Sequence, residues 1–255
     1  MTTLDALRWE QNYADVQTSP HSARIRAFLA DVVLPALGAL DRDIERWGAT
    51  REGGAPFARA DAEVLLQATI QAFCLAIQSI WERQLRDWIS DCVRHCGGNA
   101  HQVTIAQMKP LEQVNRVLHD VRGATLAAFP SYPDLTYLQL VGNACRHGDG
   151  DSATTLFRAH PELWPHWITA PPPMPDGSPA QSSSVPTFRQ AVIPRELLTR
   201  FVNAIGWFWD DVSYVCMNSF AQKDEGIESR LAEMRTARAG RPVIEDTQRA
   251  ADRVH

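Results

Sequence analysis

The chain has no surplus of positive charge: 25 Lys and Arg stand against 30 Asp and Glu, a net charge of −5. That balance argues against a strongly basic nucleic-acid binder, although a basic pocket is a local matter and stays possible. Cysteine is sparse, five in 255 residues, at Cys74, Cys92, Cys96, Cys145 and Cys216. An odd, scattered set reads as buried free thiols in a reducing cytoplasm rather than a disulfide framework. Cys92-x3-Cys96 stands beside His95, but no second pair lies at ligand spacing, so no metal site is expected. No run approaches eighteen apolar residues without charges, which argues against a membrane span. The opening MTTLDALRWEQ carries acids and no apolar signal core, unlike a secretory leader, and a cytoplasmic location is expected. Alternating strand patterns, internal repeats, a phosphate-binding glycine loop, a zinc-protease motif and a serine nucleophile elbow are all missing. No cofactor is implied.

What remains is helical periodicity. Residues 1–20 read as a frayed or short helical lead-in ending at Ser19-Pro20. From Ser22 to Trp47 an apolar stripe through Ile25, Phe28, Leu29, Val33, Leu37, Leu40 and Ile44 predicts a helix that Pro35 should kink or divide. A loop follows over Gly48–Ala58. Asp61 is placed to cap a helix of about 35 residues, roughly 50 Å, that runs towards Cys96 and stops at Gly97-Gly98. A helix so long usually forms a bundle spine or lines a dimer interface. Thr104-x-x-Gln107 resembles a capping box, and Leu111–Val121 make a short amphipathic helix ending at Gly123. Asp134 and Ser152 are the next expected caps. Residues 170–186, APPPMPDGSPAQSSSVP, read as a linker or surface loop. Pro194 opens a strong helix through Phe220, and the tail from Gln222 should fray after Ala239. The expected fold class is all-α, an up-and-down helical bundle. Residues 1–60 are an N-terminal helical segment packing on a bundle over 61–220 with its proline-rich insertion; 221–255 form a helical or disordered tail.

One stretch gathers the capable chemistry: Leu138–Gly150, LQLVGNACRHGDG. Gln139, Asn143 and His147 are spaced by four and share one helical face, with Arg146 leaning to the same side. A cap needs only the histidine, whereas here a polar stripe continues along an otherwise apolar helix.

Three stretches together resemble the HEPN superfamily of small helical-bundle proteins, common in bacterial toxin and antiphage systems. They are the helix with Phe73, Trp81, Glu82, Leu85, Arg86 and Trp88; the segment Leu138-x-Leu140-x-x-Asn143-x-x-Arg146-His147-Gly148-x-Gly150-x-Ser152; and the closing helix with Phe201, Ala204, Ile205, Phe208 and Trp209. The resemblance implies a homodimer. In active members two Arg-x4–6-His motifs meet at the dimer interface and cleave RNA without metal. No arginine lies four to six residues before His147, and position 139 is Gln139. Arg249-x5-His255 matches that spacing by chance, in the tail.

Metal-free RNA cleavage needs a base for the 2′-hydroxyl and a cation for the charge that develops on phosphorus. Histidine suits proton transfer near neutral pH. Arg146 can hold a phosphate, and Asn143 can orient the imidazole or bind an oxygen. Gln139, Glu82 and Arg86 are supporting candidates. The expected reading is a HEPN-like toxin or antiphage-defence protein that acts as a metal-independent endoribonuclease through a dimer-interface pocket, with RNA or a nucleotide as substrate and an antitoxin or defence partner. The alternative is a non-catalytic interaction or nucleotide-binding protein in which His147 bonds the last helix carbonyls and Asn143 satisfies a backbone group. Arg94-His95 read as a solvated helix end and Arg116, His119 and Arg122 as a solvated basic face; Trp164 and Trp167 are candidates for a ligand groove.

Overall fold

A computed structural model of the chain describes residues 4–168 and 185–242, and among these there is no strand. The fold is all-α. A 3₁₀ turn at Leu4–Ala6 leads into α1 (Tyr13–Gln17) and α2 (His21–Phe28). Of the two forms expected for the lead-in it takes the short helical one, packed from Leu4 onwards with Leu4, Leu7, Trp9 and Ala14 buried.

The Ser22–Trp47 stripe is realised as α2, a π turn at Leu29–Val33, and α3 (Leu34–Ala49). Pro35, in the first turn of α3, has no N–H to donate, and its ring crowds the carbonyl four residues back. The wider turn just before it accommodates both demands, as such bulges do.

Helix α4 (Ala55–His95) starts seven residues earlier than a cap at Asp61 predicts. Pro56 presets the first turn, and Asp61 falls inside the helix. Its 41 residues span about 60 Å, and Gly97 beyond its end has φ +73°. Helix α5 (Ala100–Met108) is capped by an Asn99–Gln102 box rather than by Thr104 and Gln107. Both pairs have box spacing, but only Asn99 has the extended backbone a cap needs, whereas Thr104 bonds back to the Ala100 carbonyl at 3.0 Å. Helix α6 (Leu111–Arg122) ends at Gly123, φ +65°.

Helices α7 (Tyr132–His147), α8 (Asp151–Ala159), α9 (Glu196–Asn218) and α10 (Glu225–Ala239) complete the order. Asp134 and Ser152 both lie inside helices rather than capping them; the buried Asp134 carboxylate accepts Arg200 of α9 at 2.6 Å. Most of the proline-rich segment, residues 170–184, lies outside the described residues, as does the Arg249–His255 pair. The flanks of that segment are clamped: Val192 N–H donates to the Leu163 carbonyl at 2.7 Å, Trp164 Nε1 to the Thr187 carbonyl at 2.9 Å, and Phe188 N–H to Asp149 at 2.5 Å. Trp164 is thereby buried in the core.

Helix α4 is the spine. Its buried face, through Ile70, Cys74, Ile77, Trp81, Leu85 and Ile89, meets α7 and α9, with Trp209, Phe201 and Phe208 filling the centre. Helices α5 and α6 cover its C-terminal half, and α3 lies along its N-terminal half. The expectation of no long charge-free run fails here. Residues 64–81 contain no Asp, Glu, Lys or Arg, so α4 is long and apolar enough to cross a membrane by length and composition, with 28% of that window buried.

The packing is pinned by a charge pair out of reach of water. Arg122 Nη2 lies 2.7 Å from Asp15 Oδ1, and both side chains are fully buried. Trp88 Nε1 donates to the same oxygen at 3.1 Å, Arg122 Nη2 also reaches Cys92 Sγ at 3.1 Å, and Nη1 donates to the Glu10 carbonyl. Arg122 is therefore no part of a solvated face, unlike Arg116, which pairs with Glu112 at the surface. Burial pushes the Cys92 thiol up to about 12, so it stays neutral beside the ion pair.

Replacing Arg122 by Met should cost about 3–5 kcal/mol in urea unfolding, because it strands the Asp15 charge; adding Asp15→Asn should recover part of that loss. His21 supplies a pH test. Its half-buried ring lies edge-on to Trp209 at 4.8 Å, and burial, then Arg24, lowers its pKa. The unfolded chain takes up this proton first, near pH 6.5, so stability is complete above that value and falls as pH drops through the folded-state pKa. Urea midpoints between about pH 8 and pH 5 should show the fall, and His21→Phe should flatten it.

Candidate functional site

The polar stripe of α7 meets α4 where the two helices come closest. A Cβ on Gly142 would lie 2.1 Å from Gln78 Oε1 and 2.5 Å from its Cδ, so only glycine admits this approach. Gln78 Nε2, fully buried, then donates to Asn143 Oδ1 at 3.1 Å and lies 3.4 Å from Glu82 Oε1. One turn further along α7 Cys145 faces Cys74, and that neighbour, with burial, raises the Cys74 pKa and keeps the thiol neutral. Matching 142 with 78 and 145 with 74 makes the helices antiparallel. Their seam carries Gln78, Glu82 and Asn143.

Gln78 was missed in the sequence because it sits in the charge-free apolar run. Its spacing of four from Glu82, on the face of Cys74 and Trp81, was the available signal. Its Oε1 has no hydrogen-bond partner and faces Gly142. A buried acceptor left this way costs about 1–3 kcal/mol.

Arg146 and His147 lie beyond the seam, exposed on the last turn of α7, and neither makes a hydrogen bond or ion pair among the described residues. The helix end is closed without them. Gly148 N–H donates to the Ala144 carbonyl at 2.8 Å, and Gly148 has φ +68° and ψ −137°, a backbone open to glycine alone. The turn is not the left-handed cap that a glycine after a helix suggests, because ψ lies far from that region. His95 offers a contrast: its Nδ1 is 2.7 Å from the Asp91 carbonyl, so that ring serves its own helix end, and Arg94 pairs with Asp91.

The other candidates divide. Gln139 is half-buried on the same face of α7 and makes no hydrogen bond among the described residues. Arg86 is committed elsewhere, its Nη1 donating to the carbonyls of Ala106 at 3.0 Å and Lys109 at 2.9 Å, where it closes α5. A second polar cluster had no sequence signal. His160 stacks on Tyr137 at 3.6 Å with Glu162 at 3.0 Å from Nδ1, and Arg200 lies 5.5 Å from the same Tyr ring. Burial raises the Tyr137 pKa, and the charges of the cluster are paired internally. No group of three His, Cys, Asp or Glu with metal-binding geometry occurs among the described residues. A 550 Å³ cleft between α9 and α10, lined by Trp207, Asp211 and Arg241 among others, is separate from the seam.

Fold and site together define an all-α helical bundle with a polar seam between two antiparallel helices. Comparison with family models, curated proteins and solved structures gave no match to this chain.

Gly142→Ala should lower stability by about 1–3 kcal/mol, through overpacking against Gln78. Pairing it with Gln78→Ala, which removes the clashing amide, should recover part of the loss in the same thermal or urea melt.

Proposed function

We propose that the chain is a HEPN-like protein that acts on RNA as a metal-independent endoribonuclease, in a bacterial toxin or antiphage-defence setting. The observation that carries this reading is the freedom of Arg146 and His147. Both are exposed, unpaired among the described residues and not consumed in closing their helix, unlike His95. In the proposed reaction His147 takes the proton of a ribose 2′-hydroxyl. The oxygen attacks the adjacent phosphorus, and the bond to the 5′-oxygen of the next nucleotide breaks. The products are a 2′,3′-cyclic phosphate and a 5′-hydroxyl, the leaving oxygen taking a proton from an acid that completes the site. Arg146 holds the non-bridging oxygens, where charge develops. Asn143, fixed by Gln78, and Glu82 and Gln139 shape the floor; Arg86 acts only through α5. The site is read as composite, in a homodimer working in the cytoplasm with an antitoxin or defence partner.

A second reading draws on the seam itself. The Gln78 amide donates to Asn143 across the seam and to Glu82 on its own helix, as a residue in a non-catalytic interaction or nucleotide-binding protein would. Purified wild type and His147→Ala, incubated with RNA with and without chelator, separate the two. The nuclease reading expects cleavage indifferent to chelator and reduced about 10²–10⁴-fold in the variant, with an unchanged melting curve. Intact RNA with both proteins, and equal growth of cells expressing either, would overturn it.

A further inference from the structure

Helix α10 is held to the bundle by charges and aromatic rings more than by apolar burial. Of its 15 residues only Leu231 is buried, with Ile227 and Met234 half-buried against the core. It packs chiefly on α9. Three arginines spaced by three fasten its C-terminal end. Arg235 Nε donates to the Tyr214 hydroxyl at 3.0 Å, Arg238 Nη2 to Asp5 Oδ1 at 2.5 Å, and Arg241 Nη1 to Asp211 Oδ2 at 2.8 Å. The guanidinium groups of Arg235 and Arg238 also lie 5.7 and 4.4 Å from the Tyr214 ring, and that of Arg241 lies 5.7 Å from Trp207. Cations over ring faces at these distances are attracted to them.

The receiving surface belongs to α9 and the lead-in. Trp207, Asp211 and Tyr214 are spaced by four and three, so they share one face of α9. Asp5 adds a second carboxylate, which accepts the Tyr214 hydroxyl at 2.6 Å. The match runs antiparallel: Arg241 meets Trp207 and Asp211, while Arg235 and Arg238 meet Tyr214. Burial raises the Asp211 pKa and Arg241 opposes that shift, so this carboxylate needs a cation opposite it. Rings and acids side by side suit a planar guanidinium that stacks and donates at once, and suit lysine less. Two carboxylates repel a phosphate backbone or an anionic lipid.

The fit of α10 to this face is incomplete. Arg238 Nη1 is buried with no hydrogen-bond partner among the described residues, a cost that release to water removes. Beside it α9 and α10 leave the 550 Å³ cleft, with Met217 and Met234 in its lining. A short helix with one fully buried side chain is marginal once it leaves its support.

We infer that this face of α9 is a docking surface for a partner helix that presents arginines three residues apart, and that α10 occupies it in cis as a displaceable strap. The partner's arginines take the places of Arg235, Arg238 and Arg241, and α10 comes away. A tethered strap competes at an effective concentration on the order of millimolar, so the closed chain resists weak partners. No residue of the α4–α7 seam takes part, and the inference does not rest on the nuclease reading.

A fluorescein-labelled peptide of residues 224–241 serves as the partner probe. It keeps the Asp224 cap, whose carboxylate accepts the Ile227 N–H at 2.8 Å. Fluorescence anisotropy compares its binding to the full chain as wild type and with Arg235, Arg238 and Arg241 all replaced by Gln. The triple variant should bind at least about tenfold more tightly than wild type, because its own strap no longer competes. Adding Asp5→Asn and Asp211→Asn should abolish that binding. A peptide with lysine at the three arginine positions should bind at least about fivefold more weakly. Hydrogen exchange of the wild type gives a readout that needs no variant: α10 amides should exchange at least about tenfold faster than those of α9, and faster still with excess peptide. No binding to a folded triple variant, equal binding to both proteins, equal binding of the lysine peptide, or α10 amides as slow as those of α9 would each overturn the inference. So would a wild type at twice 28.5 kDa that falls to a monomer in the triple variant, which would give the face to α10 of a second copy.

Discussion

The Asp15–Arg122 pair is the constraint on which the packing rests. Two opposite charges with no exposed surface are costly to bring out of water, and they are tolerated only when hydrogen bonds complete their shells. Here most of the shell comes from four places in the chain, the Glu10 carbonyl, Trp88 and Cys92 of α4, and the Trp9 ring 5.0 Å from the guanidinium, while Asp15 Oδ2 and Arg122 Nε have no hydrogen-bond partner among the described residues. The pair thus fixes the lead-in, α1, the end of α6 and the spine relative to one another. A hydrophobic substitute of equal volume could match its energy, but would not specify which part of each element must meet.

Around that fixed point α4 divides its labour by angle. One side supplies the core, a second meets α7 at a distance only glycine allows, and a third faces outward with apolar residues. The division explains why a helix apolar enough for a membrane belongs to a folded bundle: its hydrophobicity is spread over several contacts. Residues that make the closest approach, Gly142 and Gln78, also position Asn143. Packing and the polar seam are one feature seen from two helices.

Helix existence and the core faces were legible in the sequence, because the 3.6-residue period survives tertiary packing. Starts were less so. Asp61, Thr104, Asp134 and Ser152 all have cap-forming side chains, yet each lies within a helix, because Pro56, Asn99 or the turns before α7 and α8 set the true start. Side-chain type alone does not carry the backbone angle that a cap requires. At the site, the face shared by Gln139, Asn143 and His147 was readable from spacing. Gln78 was hidden in an apolar run, Arg86 was read as a supporting site residue and Arg122 as part of a solvated basic face, because a charge bonded to distant carbonyls or a distant carboxylate leaves no local pattern.

The clamps around the proline-rich segment have an evolutionary consequence. With Leu163 bonded to Val192 and Trp164 to Thr187, both ends of that segment are anchored to the core independently of what lies between them. Doubling the length of a closed loop costs only about 0.6 kcal/mol in chain entropy. The bundle therefore offers a socket that can accept segments of other lengths and compositions, changing what they touch without renegotiating the fold.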